Sequence, residues 1–224
     1  MSVWAVIVAA GRGERLGLDR PKAFAKLGGR PMLAESLERL EASEWIDSIV
    51  VAAPPDWEEP VILLAEELGC GKVGAVVPGG DSRAASVRAG LAEVPDDAVI
   101  VLVHDAARPV LDEALIDRLL VTLNEGWDGV VPGLPIADTV KRVDRDQVVE
   151  TVDRDGLVVA QTPQAFVWPA LRDAAATGGD ATDCAAMIEA RGGRIKVVPG
   201  DPRLVKITDQ SDLELVEHWL VPAE

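Results

Sequence analysis

Three features of the chain predict an α/β fold with a mostly parallel, twisted sheet and helices on both faces. Short β-branched runs alternate with longer helical patterns. The short runs are continuously apolar, as strands buried on both faces are. One polar, β-rich segment breaks this rhythm and reads as an arm that projects from the sheet.

Taken in order, the first strand is Val3–Val8, and Leu33, Leu37 and Leu40 then keep helical spacing. Strands at Ser48–Ala53 and Val73–Val77 follow, then a helix carrying Ala84, Val87 and Leu91. A strand at Val99–Val103 precedes a helix with the stripe Ile116, Leu119, Leu120 and Leu123. Further strands are expected at Gly129–Pro132, at Ile195–Val198 and around Val205, with a closing helix at Leu213–Leu220. Between Asp138 and Val159, two β-rich runs flank the polar turn Asp144-Arg145-Asp146, which predicts a hairpin. A lone hairpin is marginal in water, so this arm is expected to pack on a second subunit and make a homodimer.

A length of 224 residues with 48% hydrophobic content suits one buried domain, here taken as residues 1–224 with 138–159 as its arm. The apolar opening, Met1 to Ala10, is too short to cross a bilayer and lacks a basic flank, so the chain is expected to be cytoplasmic. Cys70 and Cys184 share no metal-ligand spacing and read as small core hydrophobes. A formal charge of −16 argues against nucleic-acid or membrane partners. An acidic protein that binds an anion must therefore gather its few cations locally.

Such cations follow the first strand, in Ala9-Ala10-Gly11-Arg12-Gly13-Glu14-Arg15-Leu16 and then Pro21-Lys22. Glycines after a buried strand let the backbone approach a ligand and aim N–H groups at phosphate oxygens. A dinucleotide fingerprint fails at Leu16 and at the strand end Ala52-Ala53-Pro54-Pro55, which offers no acid for a ribose. A P-loop fails for want of a closing Gly-Lys-Ser/Thr. A nucleotidyltransferase loop stays open, with Arg15 and Lys22 reaching a triphosphate. The glycine pattern alone leaves a strand-exit loop with solvated charges equally open.

Further motifs follow in order. They are Val77-Pro78-Gly79-Gly80-Asp81-Ser82-Arg83 with Ser86-Val87, then Val103-His104-Asp105-Ala106-Ala107-Arg108-Pro109, then Asp138-Thr139-Val140-Lys141. Thr151-Val152-Asp153-Arg154 and Gln161-Thr162-Pro163-Gln164 complete the series. From Val3 to about Leu220 the chain resembles the stand-alone 2-C-methyl-D-erythritol 4-phosphate cytidylyltransferases.

That resemblance implies a Rossmann-like nucleotidyltransferase fold and transfer of CMP from CTP to a sugar-alcohol phosphate, with Mg²⁺ or another divalent cation. It implies that Arg15 and Lys22 stabilise the transition state, and that Arg154 and Lys206 hold the incoming phosphate. Ala9, Ala10, Gly11, Gly13, Gly80, Asp81 and Ser86 would receive the nucleotide. Asp105, Arg108, Thr139 and Thr162 would meet the acceptor, Asp105 also serving the metal. The arm would cross to a partner's site.

The residues themselves bear on these roles. Asp105 ends an apolar strand, where open α/β sheets place functional groups. Pro109 and Asp112 are better placed than Asp105 to start the following helix. Lys206 lies in the apolar run Leu204-Val205-Lys206-Ile207, where a cation needs a partner or a ligand. His104 is expected to be structural.

Cys184, Leu204 and Ala23 depart from the family pattern, which usually has Glu, Asn and Gln there. They bear on acceptor positioning more than on phosphate handling. A pentitol-phosphate cytidylyltransferase using ribitol 5-phosphate and a catalytically silent nucleotide-binding relative are the alternatives.

Overall fold

The computed structural model describes residues 2–177 and 181–220; Met1 of the apolar opening lies outside them. The chain runs β1 (Val3–Val8), the short ribbon β2 (Lys26–Leu27) and β3 (Arg30–Pro31), then α1 (Met32–Ala42), β4 (Ser48–Ala53) and α2 (Glu58–Glu67). It continues with β5 (Val73–Pro78), α3 (Arg83–Leu91), β6 (Ile100–Asp105), α4 (Glu113–Leu123) and β7 (Gly129–Pro135). The arm, β8 (Val140–Asp144) and β9 (Gln147–Val152), comes next, followed by β10 (Val158–Ala160) and β11 (Gln164–Val167). The last elements are α5 (Trp168–Ala175), α6 (Cys184–Glu189), β12 (Ile195–Pro199) and α7 (Gln210–Leu220).

The main sheet has the order β10-β7-β11-β6-β1-β4-β5, with β12 also paired to β7. β6, β1, β4 and β5 run parallel, as the apolar strand–helix alternation predicts. β11 wedges antiparallel between β6 and β7, and β10 pairs antiparallel with β7. One apolar core lies under α1, α2 and α4, and a second under α3, α5 and α6, so both sheet faces are covered. A third, smaller core joins Leu16, Leu27, Met32, Ile207, Leu213 and Val216. It ties the glycine-rich loop and the Lys206 segment to α7.

Three expectations are corrected. The segment around Val205 is a loop, not a strand. Among the described residues, its only backbone bond to a neighbouring segment is Ile207 N–H to Ala107 O, at 2.9 Å, while side chains of Arg108 and Gln161 donate to Leu204 O at 2.8 and 3.3 Å. Side-chain donors thus do the work a ladder would do. β5 is half-exposed because it forms the sheet edge. The arm is shorter than 138–159: β8 and β9 form their own two-stranded sheet, but Val158 and Val159 belong to β10 in the main sheet.

Candidate active site

Chain order puts β4 on one side of β1 and β6 on the other, so the connections diverge at the carboxyl end of β1. Open α/β sheets place a crevice at such a switch point. Here it is a cleft of about 370 Å³ walled by the loops after β1, β5 and β6 and by Lys206. Among the residues expected from sequence, Ala9, Ala10, Gly11, Lys22, Gly80, Asp81, Ser86, Asp105 and Lys206 line it. They come from separate stretches of chain that only the fold brings together.

The loop after β1 folds back through Lys22 N–H, which donates to Gly11 O at 3.2 Å. Gly13 takes φ 72°, and a Cβ there would stand 2.9 Å from Lys22 Cβ. Glycine therefore lets Lys22 come close under the loop. Opposite, Gly79 packs against Ala10, where an added Cβ would sit 2.3 Å from the Ala10 methyl. Gly80 N–H donates to Ser86 Oγ at 3.1 Å, and Ser82 caps α3 by accepting from Ala85 N–H. Buried Ser86 thus shapes the Gly80 turn. At the rim, Arg12 Nη2 approaches Asp81 Oδ1 at 3.4 Å, with both side chains exposed.

On the cleft floor, Asp105 meets two cations. Arg83 Nε donates to Oδ1 at 2.9 Å, and Lys206 Nζ donates to Oδ2 at 2.7 Å. Asp105 N–H donates to Thr162 Oγ1 at 2.9 Å. Burial alone would raise the Asp105 pKa, but Arg83 and Lys206 outweigh it and hold the carboxyl at about 2. Burial, then Lys206 and Arg15, bring the Lys22 ammonium down to about 8. A chain of net charge −16 thus concentrates positive charge at one place.

The remaining expected residues lie elsewhere. Arg15 is exposed on a 3-10 turn, Glu14–Leu16, outside the cleft wall yet close enough to act on Lys22. Arg108 and Thr162 are buried behind the floor and do not line it. Arg108 Nη1 is committed to Leu204 O at 2.8 Å, and Thr162 Oγ1 to Asp105 N–H. Thr139 and Arg154 are exposed at the base of the arm, with Arg154 Nη1 donating to Ala137 O. His104 is fully buried, bonded to Arg108 O at 3.1 Å, with its pKa lowered by burial to about 4. That is the structural histidine expected.

Sequence reasoning missed Arg83 as a site residue, although it stands inside a quoted motif just after the capping Ser82. Asp112 does cap α4, accepting from Ala114 N–H. Of the three departures, Ala23 lines the cleft, Leu204 is buried with its carbonyl held by Arg108, and Cys184 is fully buried beside Arg83.

Among the described residues, no three His, Cys, Asp or Glu side chains cluster as a metal cage. Asp105 is the carboxylate on the cleft floor. A hard divalent cation held by one carboxylate and substrate phosphates fits that donor set.

Comparison with known proteins places the chain. The family model for IspD, 2-C-methyl-D-erythritol 4-phosphate cytidylyltransferase, matches residues 3–221. The Frankia casuarinae enzyme of that name is 46% identical over 220 residues, spanning 97% of this chain and 81% of the relative. The Nocardia farcinica enzyme is 46% identical, spanning 98% and 94%. A crystal structure of a 4-diphosphocytidyl-2C-methyl-D-erythritol synthase superposes with a TM-score of 0.83 at 31% identity, covering 98% and 99% of the two chains. The 2-C-methyl-D-erythritol 4-phosphate cytidylyltransferase of Thermus thermophilus gives 0.79 at 32% identity, covering 96% and 97%. The chain belongs to the IspD family of 2-C-methyl-D-erythritol 4-phosphate cytidylyltransferases.

Proposed function

We propose that this protein transfers CMP from CTP to 2-C-methyl-D-erythritol 4-phosphate, releasing pyrophosphate and CDP-methylerythritol for non-mevalonate isoprenoid synthesis. The observation that carries the reading is the cleft floor, where Lys22, Lys206 and Arg83 converge around Asp105 between two glycine-rich turns.

Ala9, Ala10, Gly11, Gly13 and Gly80 hold the nucleotide through backbone groups. A peptide's donor and acceptor match the amine and carbonyl of cytosine. Asp81 meets the ribose at the rim, and Ser86 keeps the Gly80 turn in shape. Lys22 reaches the α-phosphate and Arg15 the outer phosphates. An oxygen of the acceptor's phosphate attacks the α-phosphorus in line, and the bond to the bridging oxygen of pyrophosphate breaks. Charge grows on the α-phosphate oxygens as this happens, and the fixed ammonium of Lys22 meets it without reorganising. Lys206 holds the attacking phosphate. Mg²⁺, held by Asp105 and the triphosphate, would screen phosphate charge and polarise the α-phosphorus. Arg108 and Thr162 act behind the floor, fixing the Lys206 loop and the Asp105 backbone.

Thr139 and Arg154 sit on the arm side, away from this chain's own cleft. The arm exposes Val143, Val148 and Val149. We read the working unit as a homodimer in which each arm brings Thr139 and Arg154 to the other subunit's acceptor pocket. A cytoplasmic location suits these phosphorylated substrates, and no helix among the described residues is long and apolar enough to cross a membrane. Phosphorus NMR of the protein with CTP, methylerythritol 4-phosphate and Mg²⁺ tests the reading. Pyrophosphate and a new diphosphate diester are expected; an unchanged triphosphate spectrum contradicts it.

A further inference from the structure

Resting on that reading, we infer that Arg83 is a positioning residue: it keeps hold of Asp105, so that Lys206 can leave Asp105 for the acceptor's phosphate. The two cations on Asp105 are unequal. Arg83 opens α3, directly after the capping Ser82, and its side chain is 22% exposed. Both Nε and Nη2 stand 2.9 Å from Asp105 Oδ1. Its Nη1 is shut off from solvent and has no oxygen acceptor among the described residues. Lys206 comes from a loop, and its side chain is 39% exposed at the cleft. Both line the cleft, Arg83 as the more enclosed partner and Lys206 as the more open one.

The Asp105 side chain is 8% exposed, so it cannot lose all its counter-charge cheaply. When Lys206 swings to a phosphate, Arg83 on Oδ1 is the protein cation that stays on the carboxylate. The surroundings keep Arg83 there. The neighbouring Cys184 thiol is fully buried, and its pKa is pushed up by burial to about 11, so it brings no negative charge to compete for the guanidinium. Ser86 Oγ lies 3.0 Å from Ser82 O, pinning the turn from which Arg83 departs. Arg83 therefore acts through Asp105 and Lys206, and the acceptor half of the reaction depends on it most.

A double-mutant cycle tests this. Arg83→Met should raise the acceptor KM by about tenfold or more while CTP KM moves less than about threefold. Arg83→Met combined with Asp105→Asn should be no worse than Asp105→Asn alone, since the first acts only through the second. Arg83→Lys should recover most of the loss by restoring charge. Equal rises in both KM values, or additive losses in the double variant, would overturn the proposal. If Arg83→Met does not fold, Arg83→Gln replaces it in the same cycle, with additivity again the contrary result. Wild-type protein inert towards methylerythritol phosphate would defeat the functional reading and this inference together. An active wild type with an additive cycle would defeat the inference alone.

Discussion

Lys206 Nζ stands 2.7 Å from Asp105 Oδ2, across 101 residues of chain. Each member is fixed by its own part of the fold. Asp105 ends β6, with its N–H bound to Thr162 Oγ1. Lys206 lies between buried Leu204 and Ile207, and Ile207 N–H is bound to Ala107 O. The pair therefore joins the carboxyl end of the parallel sheet to the small core under α7. In the proposed reaction this cation meets the acceptor's phosphate.

Lys22→Ala should lower kcat by about a hundredfold to a thousandfold, the loss typical for one electrostatic group that meets transition-state charge. CTP KM should rise far less, because the proposed reading gives nucleotide binding to backbone groups of the two glycine turns. Steady-state kinetics decide it: an unchanged kcat with a raised CTP KM would make Lys22 a ground-state binder.

The pH dependence follows from the same residue. Burial, with Lys206 and Arg15, holds Lys22 at about 8, below its ordinary 10.5. The free enzyme then loses this charge as pH rises through about 8, and kcat/KM for CTP should fall on that limb. Lys22→Arg should remove the limb, since a guanidinium stays charged. The stability effect has the opposite sign. Between about 8 and 10.5 the unfolded chain binds the extra proton, so this group's contribution to stability rises with pH in that window. A kcat/KM profile flat to about pH 10 would contradict the assignment.

Gly79→Ala should cost about 1–3 kcal/mol, the usual range for overpacking. The new methyl would meet Ala10 Cβ at 2.3 Å and Ala53 O at 3.1 Å. Because that contact joins the two turns proposed to hold the nucleotide, CTP KM should rise along with the loss of stability. Gly74→Ala is the control, since nothing lies within 4 Å of its Cβ position. It should stay within about 0.5 kcal/mol of wild type in denaturant unfolding.

Sedimentation should show a dimer, and removal of residues 140–152 should give a folded monomer with little activity. The hairpin forms a separate two-stranded sheet and exposes three valines. A wild-type monomer would sink the arm's proposed role.

What can be read from the sequence follows from how local its signals are. β1, β4 and β6 announce themselves because strands buried on both faces are apolar throughout. The hairpin announces itself through its polar turn. β11 is not visible: it has four residues, begins with Gln164 and owes its place to Phe166 filling the core between β6 and β7. The Lys206 loop misleads for the converse reason. Leu204 and Ile207 are as apolar as any strand, but side chains of Arg108 and Gln161 satisfy the segment's backbone. Most cleft residues lie in the motifs that carry the family resemblance. Arg83 lies in one too, but its partner Asp105 is 22 residues away on another element, and no spacing rule links them.

Pyrophosphate release with CTP and Mg²⁺, comparing methylerythritol 4-phosphate and ribitol 5-phosphate as acceptors, tests the proposed reaction most directly. Turnover is expected with methylerythritol 4-phosphate, and little or none with ribitol 5-phosphate. Turnover with ribitol 5-phosphate alone would keep the cation chemistry and contradict the acceptor. Folded protein silent with both would contradict catalysis itself.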